Sequence, residues 1–203
     1  RKTRKVIYPN KFGGKACPSL VSWRRCNTNA CLNPNFTDKT TDTTSWRLLP
    51  AGWHRPRRGY KLVNSLPFYE AYVVSFSVIP RSKKGGWRNL FHFGVSGRNY
   101  PRLPAVWFYH NTTRLHIRTS SSRQVNDGYD PPVHLPLNRV TNISIKVRGH
   151  YVAIGMSGAV RGYWIKWIGR HSQNWGKNGQ VWFGHNSYNA ADVQIANLTY
   201  NKR

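Results

Sequence analysis

The sequence predicts an all-β fold, an antiparallel sandwich or barrel. Three observations carry this. Short apolar runs recur at intervals of about 8–15 residues, several alternating apolar and polar with period two. Gly, Pro and Asn punctuate the intervals. No stretch of twelve residues keeps a helical period. The aromatic content of 14%, with nine Trp, supplies ring volume for a core between sheets.

The strands follow in order from Trp46. Tyr69 to Ile79 (YEAYVVSFSVI) is a long strand of mixed alternation. Leu90 to Val95 follows the Gly85-Gly86 turn, and Ala105 to Tyr109 is dense in β-branched and aromatic residues. Arg114 to Arg118 (RLHIR) alternates cleanly. Thr141 to Val147 alternates and is joined to Tyr151–Met156 across Gly149-His150, a hairpin signal. Tyr163 to Ile165, Gln180 to Phe183 and Val193 to Tyr200 complete the set. Residues 1–31 are basic and cysteine-bearing, residues 32–45 (LNPNFTDKTTDTTS) read as a polar linker, and 46–203 form the β domain.

Charge dominates the composition. Thirty-two Lys and Arg face six Asp and Glu, for a formal net charge of +26 on 203 residues. With 39% apolar residues this is a folded cation rather than a disordered basic tail. Its partners are therefore expected to be anionic. No run approaches eighteen apolar residues, so no membrane span is expected. Sequons at Asn35, Asn111, Asn142 and Asn197 point to a secreted or matrix glycoprotein with those asparagines at the surface. Three cysteines, Cys17, Cys26 and Cys31, all lie in the first segment. An odd number implies an intermolecular partner, a free thiol or a missing piece of chain.

Two resemblances emerge. Arg1 and Arg4 on one strand face, Gly13-Gly14 before Cys17, and the ending Cys26-Asn27-Thr28-Asn29-Ala30-Cys31 resemble the second half of a thrombospondin type 1 repeat over residues 1–31. That family folds as three irregular strands with Arg–Trp stacking. The resemblance implies a first half before residue 1. Either that half stays attached through disulfides, as a fragment of the same precursor, or it is lost and one internal bridge forms. The pairing stays open. Residues 46–201 resemble a concanavalin-A-like jelly roll of the laminin-G-like kind. The stretches FSVIPRSKKGGWRNLFHFG, RLPAVWFYHNTTRLHI, NISIKVRGHYVAIGMSG and QVWFGHNSYNAADVQIANLTY carry it. Ligand residues vary within that fold, so none is transferred.

The scarcity of acids shapes the chemistry. With Glu70 as the single glutamate, a two-carboxylate glycosidase site is not expected, and the chain is read as non-enzymatic. Asp127 and Asp130 could form half a calcium site, but D-G and D-P sequences are ordinary turns, and no metal or cofactor is expected. The eight histidines show no ligand-spaced motif.

Basic clusters are the better signal: Arg1, Lys2, Arg4 and Lys5; Arg24 and Arg25; Arg55, Arg57 and Arg58; Arg81, Lys83, Lys84 and Arg88. Twenty of the cations are Arg, whose planar fork holds sulfate, phosphate or carboxylate at two points. Trp53, Trp87, Trp164, Trp167 and Trp175 lie beside Gly, Arg or Lys. Of these, Trp53, Trp87, Trp167 and Trp175 are the candidates for stacking on sugar rings. The expected function is a secreted protein binding a polyanionic polymer, such as a heparin-like sulfated glycan. The alternative is a self-assembling matrix protein that templates an anionic mineral such as silica. Nucleic acid fits the charge alone, and the sequons and cysteines disfavour it.

Overall fold

The computed structural model describes residues 44–94, 101–170 and 178–203, with two short strands near the start, β1 (Lys2–Thr3) and β2 (Val21–Ser22). The chain divides into two compact units, Arg1–Thr37 and Asp38–Arg203. In the first, β1 and β2 pair antiparallel. The cysteines, the rest of the thrombospondin-like segment and the 32–43 part of the linker lie outside the described residues, as do the side chains of the basic residues among 1–25.

The second unit is two sheets, with no helix among its described residues. One sheet contains β3 (Ser45–Arg47), β5 (Tyr72–Pro80), β10 (Thr141–Arg148), β11 (Tyr151–Gly158), β12 (Gly162–Trp167) and β15 (Val193–Lys202), in the order β12-β11-β10-β5-β15-β3. The other contains β4 (Lys61–Leu66), β6 (Arg88–Gly94), β7 (Ala105–Phe108), β8 (Leu115–Arg118), β9 (Gly128–Tyr129) and β13 (Gly179–Trp182). Its order is β4-β13-β6-β7-β8-β9, with β14 (Asn189–Ala190) beside β6. All pairings are antiparallel except β14 with β6.

The inner faces hold the core that alternation predicted. Tyr72, Val74, Phe76 and Val78 on β5 and Ile143, Ile145 and Val147 on β10 face Phe91, Phe93, Val106, Phe108, Leu115 and Ile117 of the other sheet. Phe76 meets Phe91 edge-on at 4.9 Å, and Tyr200 stacks on Tyr72 at 5.4 Å. Such ring pairs add about 0.5–1.5 kcal/mol each beyond the area they bury.

Two bulges break the alternation of β15 and β6. On β15, Val193 and Ile195 point inward, then Leu198 and Tyr200 do. The phase flips because the register with β5 shifts between Ala196 and Thr199, where Asn197 takes φ 55°. On β6 the shift falls between Asn89 and Phe91. Beyond it Phe91 and Phe93 face the core and His92 faces outward, which places His92 in the surface described next.

Candidate functional site

The outer face of the seven-stranded sheet carries a continuous belt of rings and cations. Register makes it. Lys61 pairs with Trp182, Trp182 with His92, and Trp107 with His116. The Lys61 ammonium lies 4.8 Å from the Trp182 ring centre. Trp182 meets His185 at 5.7 Å, and His185 stacks on His92 at 4.6 Å. His92 meets Trp107 edge-on at 5.8 Å, and Trp107 meets both His116 and Tyr188. Trp87, entering β6, folds onto His116 at 4.7 Å and Tyr109 at 4.8 Å.

Within this belt Trp87, Arg102, Trp107, His116, Asn126 and Tyr188 line an open cleft of about 220 Å³. Each wall is fixed from the backbone upward. Arg102 is pinned by a two-way bond, its N–H to Ser120 Oγ at 2.8 Å and its carbonyl accepting Ser120 N–H at 2.7 Å. Its guanidinium lies over Trp107 at 5.2 Å and donates to Asn126 Oδ1. Asn126 precedes Asp127, which accepts from Ser121 Oγ at 2.7 Å and Gly169 N–H at 2.9 Å and so ties down the loop. Tyr188 sits on the segment that Asn89 holds through Ala191 N–H and His185 N–H.

Two atoms of the cleft residues are buried with no partner among the described residues. Trp107 is 2% exposed, and its indole Nε1–H finds no acceptor. Arg102 Nε is in the same position. A buried donor left unmet costs about 1–3 kcal/mol.

Behind Trp87 the Asp130 carboxylate is saturated. Arg118 donates to both oxygens, at 2.6 and 2.7 Å, and the Tyr109 hydroxyl donates to Oδ2 at 2.6 Å. His116 Nδ1 lies 3.1 Å from Oδ1; the carboxylate only accepts, so Nδ1 carries the hydrogen. Burial works to raise Asp130, but the bonds from His116, Arg118 and Tyr109 outweigh it and hold the group well below the usual carboxylate range. Burial lowers His116 and raises Tyr109, so both are neutral near pH 7. Burial, then the neighbouring His185 and Arg102, push His92 down to about 3, against an opposing contact with the Pro101 carbonyl.

Of the sequence-derived candidates among the described residues, Trp87 alone lines the cleft. Arg55, Arg57 and Arg58 lie exposed on the loop before β4, and the Arg55 guanidinium is 3.7 Å from Asp192. Arg81 comes to the same place, its N–H donating to the Asp192 carbonyl at 2.8 Å. The fold thus brings the 55–58 and 81–84 clusters together around Asp192, with Lys83 and Lys84 exposed. Trp53 and Trp167 are exposed, whereas Trp164 packs against the core. Asn111, Asn142 and Asn197 are all exposed; Asn35 and Trp175 lie outside the described residues.

Arg88 needs correction. It is 3% exposed, and its guanidinium donates to the carbonyls of Gly86, Ser82, Tyr109 and Thr112. It is a strut of the β5–β6 turn, unable to reach a polymer. Sequence reasoning missed Arg102, Trp107, His116, Asn126 and Tyr188. The available signal was the polar phase of the strands, His116 in RLHIR and Trp107 in AVWFY, which fall on one outer face once the register is known.

No family model matches the chain, and no curated protein does. Solved structures do align with it. A heptameric SAP-like pentraxin from Limulus polyphemus is 12% identical, with a TM-score of 0.51, over 78% of this chain and 75% of that one. A Trypanosoma rangeli sialidase bound to 2,3-difluoro-KDN is 11% identical, with a TM-score of 0.48, over 75% of this chain. A Caenorhabditis elegans galectin is 11% identical with a TM-score of 0.39, over 74% of this chain and 96% of that one. The chain spans about a quarter of the length of the sialidase chains it matches. The protein is thus an antiparallel two-sheet sandwich of the jelly-roll, concanavalin-A-like class. No thrombospondin repeat is seen in these matches.

The non-enzymatic reading does not stand. It rested on a missing carboxylate pair, and not every glycoside hydrolase uses one. Sialidases are among the solved structures that align with this chain, over a quarter of their length.

Proposed function

We propose that the outer face of the seven-stranded sheet binds carbohydrate, and that the glycan is acidic. The observation that carries this is the cleft built around Trp107. Ring walls from Trp87, Trp107 and Tyr188 stand beside the Arg102 guanidinium and the Asn126 amide, and the Trp107 donor is buried and unmet. A sugar ring offers an apolar face to the rings and hydroxyls to the donors. A carboxylate or sulfate on it would take two bonds from an arginine fork. At about 220 Å³ the cleft is smaller than drug-sized pockets of roughly 300–1,000 Å³, which suits one ring of a longer chain.

The exposed Arg55, Arg57, Arg58, Lys83 and Lys84 would hold further units of that polymer, since few acids compete for them. The three exposed sequons support a secreted setting. Templating of mineral draws no support from a cleft walled by rings.

The test is binding of a sulfated uronic-acid oligosaccharide and of its neutral counterpart, followed by calorimetry at several salt concentrations. The acidic ligand should bind at least tenfold more tightly, with affinity falling as salt rises, by analogy with other polyanions. Trp87→Ala should weaken it at least fivefold. Equal affinity for both ligands, or no effect of Trp87→Ala, would refute the proposal.

A further inference from the structure

Strand β12 is an edge of the six-stranded sheet, and it leaves an apolar ladder in solvent. Tyr163, Ile165 and Trp167 alternate along it with exposures of 48%, 55% and 73%. Alternate residues share one face, so the three side chains line up over about 13 Å. Their partners on β11 are Gly155, Ala153 and Tyr151, small at two positions of three, so the ladder stands proud of the sheet. Among the described residues, Tyr151 reaches a ring of it, meeting Trp167 edge-on at 6.3 Å. Arg148, Arg161 and Arg170 are exposed around the ladder, and Glu70 lies 3.6 Å from Arg170.

We propose that this ladder docks the protein on the surface of an anionic lipid bilayer. Trp and Tyr favour the headgroup boundary, where a ring lies in hydrocarbon while its polar edge stays wet. Ile165, at the centre, has no ring to stack on a sugar but gains from entering acyl chains. The surrounding cations complement acidic headgroups. A second copy of the chain is a poor occupant, because each copy carries +26. The Asn142 sequon leaves the Trp167 end clear. Asn142 pairs with Ser157 and Trp167 with Tyr151, six residues along β11 and about 20 Å away. The glycan cleft lies on the other sheet, so the two activities are separable.

The experiment uses the full chain with vesicles containing about 30% phosphatidylserine in phosphatidylcholine, near physiological salt. The wild type should sediment with them, and brominated acyl chains should quench its tryptophan emission. Trp167→Phe should remove most of that quenching. The double variant Ile165→Ser, Trp167→Ser should bind at least tenfold more weakly while keeping the wild-type near-ultraviolet circular dichroism and glycan binding. Absence of sedimentation, unchanged binding of the double variant, or quenching that survives Trp167→Phe would overturn the proposal. So would a concentration-dependent dimer of the wild type that the double variant abolishes.

Discussion

The side-chain carbonyl of Asn89 accepts the backbone N–H of His185 at 2.8 Å, joining positions 96 apart in the chain. The same side chain donates its amide to the carbonyls of Phe91 and Val106, at 3.1 and 3.0 Å, and so closes the bulge that turns His92 outward. Asn89 therefore couples the phase of β6 to the segment that carries Tyr188 into the cleft.

Asn89→Ala should lower unfolding stability by about 2–4 kcal/mol, because it strips three bonds from a fully buried site and leaves their partners unmet. Denaturant titration measures it. Acidic-glycan affinity should fall with it, since Tyr188 loses its anchor. Loss of stability under about 0.5 kcal/mol would show that the bulge holds itself.

The stacked His92–His185 pair makes stability depend on pH in a defined window. His92 is held neutral in the folded state, down to about 3. The unfolded chain takes up its proton near the ordinary histidine value of about 6.5. Below that value the unfolded state binds more protons, so stability falls as pH drops from about 6.5 towards 3 and is flat above. Between about pH 7 and pH 4.5 the loss from His92 is about 2–3 kcal/mol. His185, lowered by burial and by Arg102, adds to it in the same direction. Asp130 acts lower on the scale: its folded value is depressed, so its contribution is complete above about pH 4 and is lost only as pH falls further. Thermal melting against pH, with His92→Phe as control, checks this; the variant should lose most of the slope above pH 4.

Much of the fold was legible because period-two alternation survives wherever one strand face is buried. Thr141–Arg148, with its burial alternating along the strand, is the clear case. What escaped is informative. Strand β4 (KLVNSL) has no buried face over most of its length, and β9 and β14 are two residues each, so neither could show a period. The cleft was illegible for another reason. Its residues come from β7, β8 and four loops, and they converge only through register and loop contacts such as those of Asn89. Charge clusters, by contrast, are local in sequence, so they drew the eye to Arg88, whose guanidinium is spent on four carbonyls.

That reassignment has its own consequence. Arg88→Ala should cost about 3 kcal/mol or more, because a buried guanidinium and the four carbonyls it bridges lose their bonds. Lys83→Ala with Lys84→Ala, both exposed, should change stability by about 0.5 kcal/mol or less while weakening polyanion binding. Equal stability effects at the two places would contradict the strut role. Denaturant titration in parallel with calorimetry separates them.

The most direct test of the central claim is the indole N–H resonance of Trp107, assigned through Trp107→Phe, during titration with a sulfated uronic-acid disaccharide. If the cleft is the glycan site, the signals of Trp107 and Trp87 shift together and saturate with the calorimetric affinity, as the unmet Nε1–H gains an acceptor or its ring environment changes. If both stay fixed while backbone amides of the 55–58 and 81–84 loops move, the glycan is held by surface charge alone and the account is contradicted.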